Sequence, residues 1–322
     1  MIKKAPIIFA PYLKTVVWGG EKICDYKGIP QKEPNIGESW EISAVPDHES
    51  VVSEGEYKGK TITSLVETFG ESLVGKKVVE KYGKQFPLLI KFIHAKDNLS
   101  VQVHPNDELA MKRHGSLGKS EVWYIISSEK GAKIYSGLSV KMNPEEYMER
   151  VKNGTFEETL AVHESNPGDV FYLPAGRVHA IGAGNLLAEI QESSDITYRI
   201  YDYNRKDANG NPRELHVEQA RDAIDYNVYS DYKSPRQPED EEVTELVNSE
   251  HFIARRIKID GERKIFMDGA SFVALMSIEG EVTLTCEEGK AHFIAGQTVL
   301  VPAASTYFTL SGKAILLSSE IG

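Results

Sequence analysis

The chain has 322 residues, 41% of them hydrophobic, and a net charge of −11. That length buries a sizeable core in one large domain or two ordinary ones, while the acidic balance argues against nucleic acid or an anionic membrane surface as partner, since each requires a basic face. No stretch approaches 18 apolar residues, and the N-terminal run IIFA is too short for a signal sequence, so a cytoplasmic protein is expected.

Taken along the chain, the first clear element is a helix over 61–69 (TITSLVETF). Short β-rich runs bounded by Gly, Pro, Asn or Asp follow at 87–93 (PLLIKFI), 99–104 (LSVQVH), 121–126 (EVWYII), 169–174 (DVFYLP) and 186–191 (LLAEIQ). Such spacing predicts a sandwich or barrel. A second helix is predicted over 143–152, where Asn143 is placed to cap and Pro144 takes the first position. The polar, acidic segment 226–246 reads as a linker. Beyond it, from about His251, alternating runs such as SFVALMSIEGEVTLTCEE and AHFIAGQTVLVPA predict a second, smaller β unit. The expected division is 1–235 and 236–322. The two cysteines, Cys24 and Cys286, are too few for a disulfide framework and are expected to be reduced and structural.

On a strand, Ser100, Gln102 and His104 share one face and Leu99, Val101 and Val103 the other. Seventeen residues on, Lys119, Glu121 and Trp123 share a face of the next strand. In GDVFYLPAGRVHAIG, a strand ends at Pro174 and a turn presents His179. This last spacing is the second signature of the cupin barrels. Gln102, His104, Glu121 and His179 together offer two imidazole nitrogens, a carboxylate and an amide oxygen, a set suited to zinc and also to Fe, Mn or Co. With one anionic ligand the bound ion keeps a formal charge of about +1, so its Lewis acidity is preserved. The stretch GQTVLVPAAST (296–306) echoes 168–179 but has no His in the matching place, so one ion per chain is expected.

The runs GESWEIS (37–43), LSVQVHPND (99–107), GKSEVWY (118–124), GDVFYLPAGRVHAIG (168–182) and QESSDITYRIYDYNR (191–205) resemble the type I mannose-6-phosphate isomerases in their short bacterial form. The resemblance runs from about residue 5 to 225 and continues more faintly to the end. It implies an all-β fold with a few helices, arranged as two cupin-type jelly-roll barrels of which the first is larger and metal-bearing. It also implies zinc at Gln102, His104, Glu121 and His179, an active-site arginine at Arg199, and interconversion of mannose 6-phosphate and fructose 6-phosphate through an enediolate. Unlike the longer members, this chain has no sizeable helical domain between Glu121 and His179.

Arg199 cannot act as a base at neutral pH, so its expected role is electrostatic stabilisation or contact with the phosphate. Lys119 is the first candidate to bind the phosphate and Lys91 the second. Glu189 is the candidate for proton transfer, with burial expected to raise its pKa. Asp195 is expected to orient Arg199. Trp18 and Trp40 fit either the pocket wall or the core. His48, His94 and His163 read as structural, and His251 and His292 have no clustered partner in the sequence. A non-catalytic bicupin sugar binder and an Fe(II) oxygenase are the competing readings; four protein ligands leave too few open positions for the latter.

Overall fold

In a computed structural model, in which all residues other than 207–209, 237 and 239 are described, the protein is mostly β with a few short helices. The predicted helices form as Ile62–Phe69 and Pro144–Asn153. Thr61 caps the first by accepting from the Ser64 amide at 3.1 Å. Asn143 and Glu146 make a reciprocal capping box on the second, each side chain accepting the other's backbone N–H. The helices Lys76–Tyr82, Asp107–His114 and Val217–Ala223 lack a strong apolar stripe and were not foreseen.

Three antiparallel sheets carry the strands. A six-stranded sheet runs, in spatial order, Val170–Leu173, Glu121–Ser128, Asn185–Glu192, Leu88–Ala95, Ile36–Ile42 and Tyr12–Gly20. A five-stranded sheet runs Tyr198–Tyr201, Val101–Val103, His179–Ile181, Lys133–Leu138 and Leu160–Glu164. The third is C-terminal and eight-stranded, and it recruits two strands from the start of the chain: Ile7 pairs with Leu300, and Phe9 with Val52. The C-terminal sheet is therefore not built from residues after 235 alone.

Two sequence expectations need correction here. The segment 226–246 is not linker throughout, because the strand Val243–Asn248 begins inside it and pairs with Ile253–Phe266. Its buried Thr244, Leu246 and Val247 alternate poorly, which hid the strand. Gln237 and Glu239, in the same segment, lie outside the described residues. Secondly, Lys119 is not on a strand: the strand begins at Glu121, and Lys119 sits in the preceding loop with its amide donating to Pro105 O.

The interiors of the two units differ in chemistry. One cluster of the C-terminal sheet is filled by Ile257, Leu275, Leu284, Phe293, Val299, Phe308 and Leu316, with Cys286 among them. The facing surfaces of the other two sheets carry buried Lys91, His104, Lys119, Glu121, His179 and Glu189. Both cysteines are buried and free.

Candidate active site

Strand register assembles the site. In the five-stranded sheet Gln102 lies directly between Arg199 and His179. In the six-stranded sheet Glu189 lies between Lys91 and Trp123, and Gln191 opposite Glu121. Residues directly opposite one another share a face, and residues two apart on one strand do too. Register thus sets two rows of functional side chains, Arg199–Gln102–His179 and Lys91–Glu189–Trp123, with Glu121 two residues from Trp123. His104 follows the short strand Val101–Val103.

His104, Glu121 and His179 are fully buried and bring their ligating atoms within 4.8 Å of one another, forming a candidate metal site. Each imidazole donates its Nδ1–H to a backbone carbonyl, His104 to Ile196 O at 2.8 Å and His179 to Arg177 O at 2.9 Å. That leaves both Nε2 atoms unprotonated and able to accept, the usual arrangement behind a metal-binding histidine. Burial and then the Lys119 charge push both pKa values down, His179 to about 3, so both rings are neutral. His179 Nε2 lies 3.2 Å from Glu121 Oε1, which has no hydrogen-bond donor. Two acceptor atoms facing each other in the interior repel unless a cation lies against them. The Lys119 ammonium plays that part on the other side, donating to His104 Nε2 at 2.8 Å and to Glu121 Oε2. Gln102 completes the ring with its amide nitrogen 3.2 Å from His179 Nε2; half a turn of the amide presents the oxygen instead.

Beside this cage lies a second buried ionic group. Lys91 donates to Glu189 Oε1 at 2.9 Å and is 3.8 Å from Glu38, and Trp123 Nε1 donates to Glu189 Oε2 at 2.8 Å. Burial alone would raise the Glu189 pKa, but Lys91 and Lys119 outweigh it and bring it down to about 2. The sequence-based expectation of an upward shift is therefore reversed. Burial counts against a lone carboxylate, whereas this one has two ammonium groups near it.

A cavity of about 320 Å³ opens over both groups, within the range of small-molecule sites. Trp18, Lys91, Gln102, Lys119, Glu189, Asp195 and Arg199 all line it; His104, Glu121 and His179 are buried and outside the lining, which Gln102 and Lys119 join to them. Trp18 and Trp40 line it too and are almost wholly buried, so each is both wall and core. Asp195 does not pair with Arg199. The guanidinium donates instead to Glu214 O at 2.9 Å, and the acidic residue acting on it most strongly is Asp202. Arg213, which the sequence reading missed, also lines the cavity, is 3.3 Å from Asp202 and lowers the pKa of Arg199 by its charge. The available signal was the turn-forming composition of the run DANGNP between Arg205 and Arg213, of which residues 207–209 lie outside the described residues.

The remaining histidines lie outside the cavity lining. His48 stacks on Tyr12, His163 faces Ser136 O at 3.3 Å, and buried His94 is held neutral, its pKa pushed down to about 4 by desolvation and then Lys22. Contrary to expectation, His251 and His292 do have partners. His251 Nδ1 lies 3.0 Å from Glu192 Oε1, and His292 lies 3.6 Å from Glu281. Glu192 is 59 residues away in sequence, beyond the reach of local pattern.

Residues 8–151 match the family model for the catalytic domain of type I phosphomannose isomerase, and residues 242–321 match the cupin domain of mannose-6-phosphate isomerase. The chain is 37% identical to the mannose-6-phosphate isomerase ManA of Bacillus subtilis over 319 residues, covering 98% of this chain and 99% of that protein. It belongs to the type I phosphomannose isomerase family. Another member, the mannose-6-phosphate isomerase of Streptococcus mutans, is 35% identical over 98% of both chains. The crystal structure of the Bacillus subtilis mannose 6-phosphate isomerase superposes with a TM-score of 0.89 at 35% identity, covering 98% of this chain and 99% of that one.

Proposed function

We propose that the protein interconverts mannose 6-phosphate and fructose 6-phosphate, an aldose–ketose isomerisation by proton transfer between C2 and C1. The observation that carries this reading is one cavity over which a histidine–carboxylate cage, an ionised buried carboxylate and an arginine converge. Family membership supports the same reaction. The assignment of zinc, one ion per active site, rests on the donor set: Nε2 of His104 and of His179, a Glu121 oxygen and the Gln102 amide oxygen. When bound, zinc supplies Lewis acidity toward the substrate oxygens at C1 and C2. Two cupin-type jelly-roll barrels divided near residue 235, with the N-terminal strand crossing to the second, and a cytoplasmic location complete the proposal.

The protein's own groups divide the remaining work. Glu189, ionised, takes the proton from C2 and returns it to C1 after the enediolate forms, while the hydroxyl proton passes from O2 to O1. Lys119 and Arg199 donate to the oxygens on which negative charge grows, and Trp18 and Asp195 shape the cavity wall. Lys91 and Lys119 face carboxylates inside the protein. The phosphate is therefore assigned to the arginines of the wall, Arg213 foremost.

Two measurements bear on this. Purified protein should turn over mannose 6-phosphate, lose turnover on chelation, regain it with Zn²⁺ and consume no O₂. Sugar binding without turnover by the zinc-loaded protein would overturn the reading in favour of a binding protein. In Lys91→Gln, the charge that holds the Glu189 pKa down is gone and burial acts with less opposition, so the pKa rises. A base must be ionised to accept a proton, so the acid limb of the kcat/KM profile is expected to move to higher pH. An unmoved limb would take Glu189 out of the proton transfer.

A further inference from the structure

We infer that His251, supplied by the C-terminal unit, is a positioning residue for Lys119 and Glu121; the inference rests on the isomerase reading for its catalytic consequence. His251 lies in the turn between the strands Val243–Asn248 and Ile253–Phe266. Its Nδ1 is 3.0 Å from Glu192 and 3.9 Å from Asp107. These two carboxylates hold the backbone on either side of Lys119. Glu192 Oε2 accepts from the Ser120 amide at 2.7 Å, and Asp107 Oδ1 accepts from the Gly118 amide at 2.7 Å.

The link continues to the metal cage. Ser120 O accepts from the Glu192 amide at 3.1 Å, so the two residues are tied by both backbone and side chain. Ser120 Oγ accepts from the Ala175 amide at 3.2 Å, in the turn that leads to His179. Lys119 and Glu121 flank Ser120, and Glu192 is almost fully buried although it faces neither the cage nor the cavity. A carboxylate out of water needs a partner for each oxygen; Glu192 Oε1 makes no hydrogen bond, and its nearest charge partner is the His251 ring, whose Nδ1 lies 3.0 Å away as an ion-pair contact. Without that ring the carboxylate would turn toward solvent or draw in water, releasing the Ser120 amide. The adjoining Phe252 is wholly buried and packs against Tyr172, so the turn is anchored where His251 meets the catalytic unit.

The test uses the full-length, zinc-loaded protein. His251→Ala is expected to lower kcat about tenfold with KM within about twofold of wild type, as loss of a group behind a site residue does. In the same variant, amide hydrogen exchange at Gly118 and Ser120 should accelerate by at least about tenfold while exchange in the core strands stays put. His251→Lys keeps a cation beside Glu192 and should recover part of both losses. His292→Ala, the exposed histidine of the same unit, should behave as wild type. Glu192→Gln, which keeps the shape and one acceptor, serves if His251→Ala does not fold, and should show the same local exchange. Unchanged exchange at Gly118 and Ser120, or acceleration spread evenly through the protein, would overturn the inference. The exchange measurement needs no substrate, so it stands or falls apart from the isomerase reading, which fails only if the wild-type protein does not turn over mannose 6-phosphate.

Discussion

His179→Ala is expected to lower kcat/KM by more than about 10³-fold and to abolish tight metal binding, the largest effect of any single substitution in this site. The ring is one of two buried imidazoles whose Nε2 is kept unprotonated by a backbone hydrogen bond behind it, and its neighbour Glu121 Oε1 has no hydrogen-bond donor. Removing it leaves His104, Glu121 and Gln102, of which Glu121 and His104 already satisfy Lys119. Metal analysis by mass spectrometry after dialysis should show less than a tenth of the wild-type content, a loss of about one ion per chain, at the affinity loss expected for a missing ligand. Folding should be affected little, because the ring is held in place by the sheet and does not hold the sheet together. A variant that kept both its metal and its turnover would place the cage elsewhere.

Arg199→Lys should separate turnover from metal retention. The substitution keeps a positive charge but loses the planar fork, and it leaves the three buried ligands untouched. Arg199 pairs in register with Gln102, so its guanidinium starts from the row that holds the cage, yet among the described residues it donates only to Glu214 O and its Nε has no partner. A fork with spare donors, at the wall of a cavity, is suited to charge that develops on the substrate. Loss of one such donor costs about 10²- to 10³-fold in kcat. Zinc content should stay near wild type. A loss confined to KM, and smaller for a substrate analogue without the phosphate, would assign Arg199 to the phosphate alongside Arg213. Loss of metal in the same variant would mean that its strand shapes the cage, and the stabilising role would pass to Lys119.

The sequence by itself determined the chemistry of the site and the type of most elements near it. β-rich runs bounded by Gly, Pro, Asn or Asp marked the strands near 87–93, 99–104 and 186–191, and Thr61 and Asn143 marked two helix starts through their capping hydrogen bonds. The clustering of His104, Glu121 and His179 was legible because ligand type is a property of the residue, and because turn residues such as Gly168, with φ +85, have few substitutes; Gln102 as fourth ligand belongs to the proposal. Tertiary structure alone decided which side chains face one another. Register across strands far apart in sequence placed Glu189 between Lys91 and Trp123, and those ammonium charges reversed the pKa shift that burial alone would produce. The same holds for Arg213, which lines the cavity with its amide donating to Arg205 O, and for His251, which reaches Glu192 from the C-terminal unit. Local pattern reports a residue's own face and hydrogen-bonding capacity. Electrostatic effects depend on distance in space, and a fold brings together charges that the chain separates by a hundred residues.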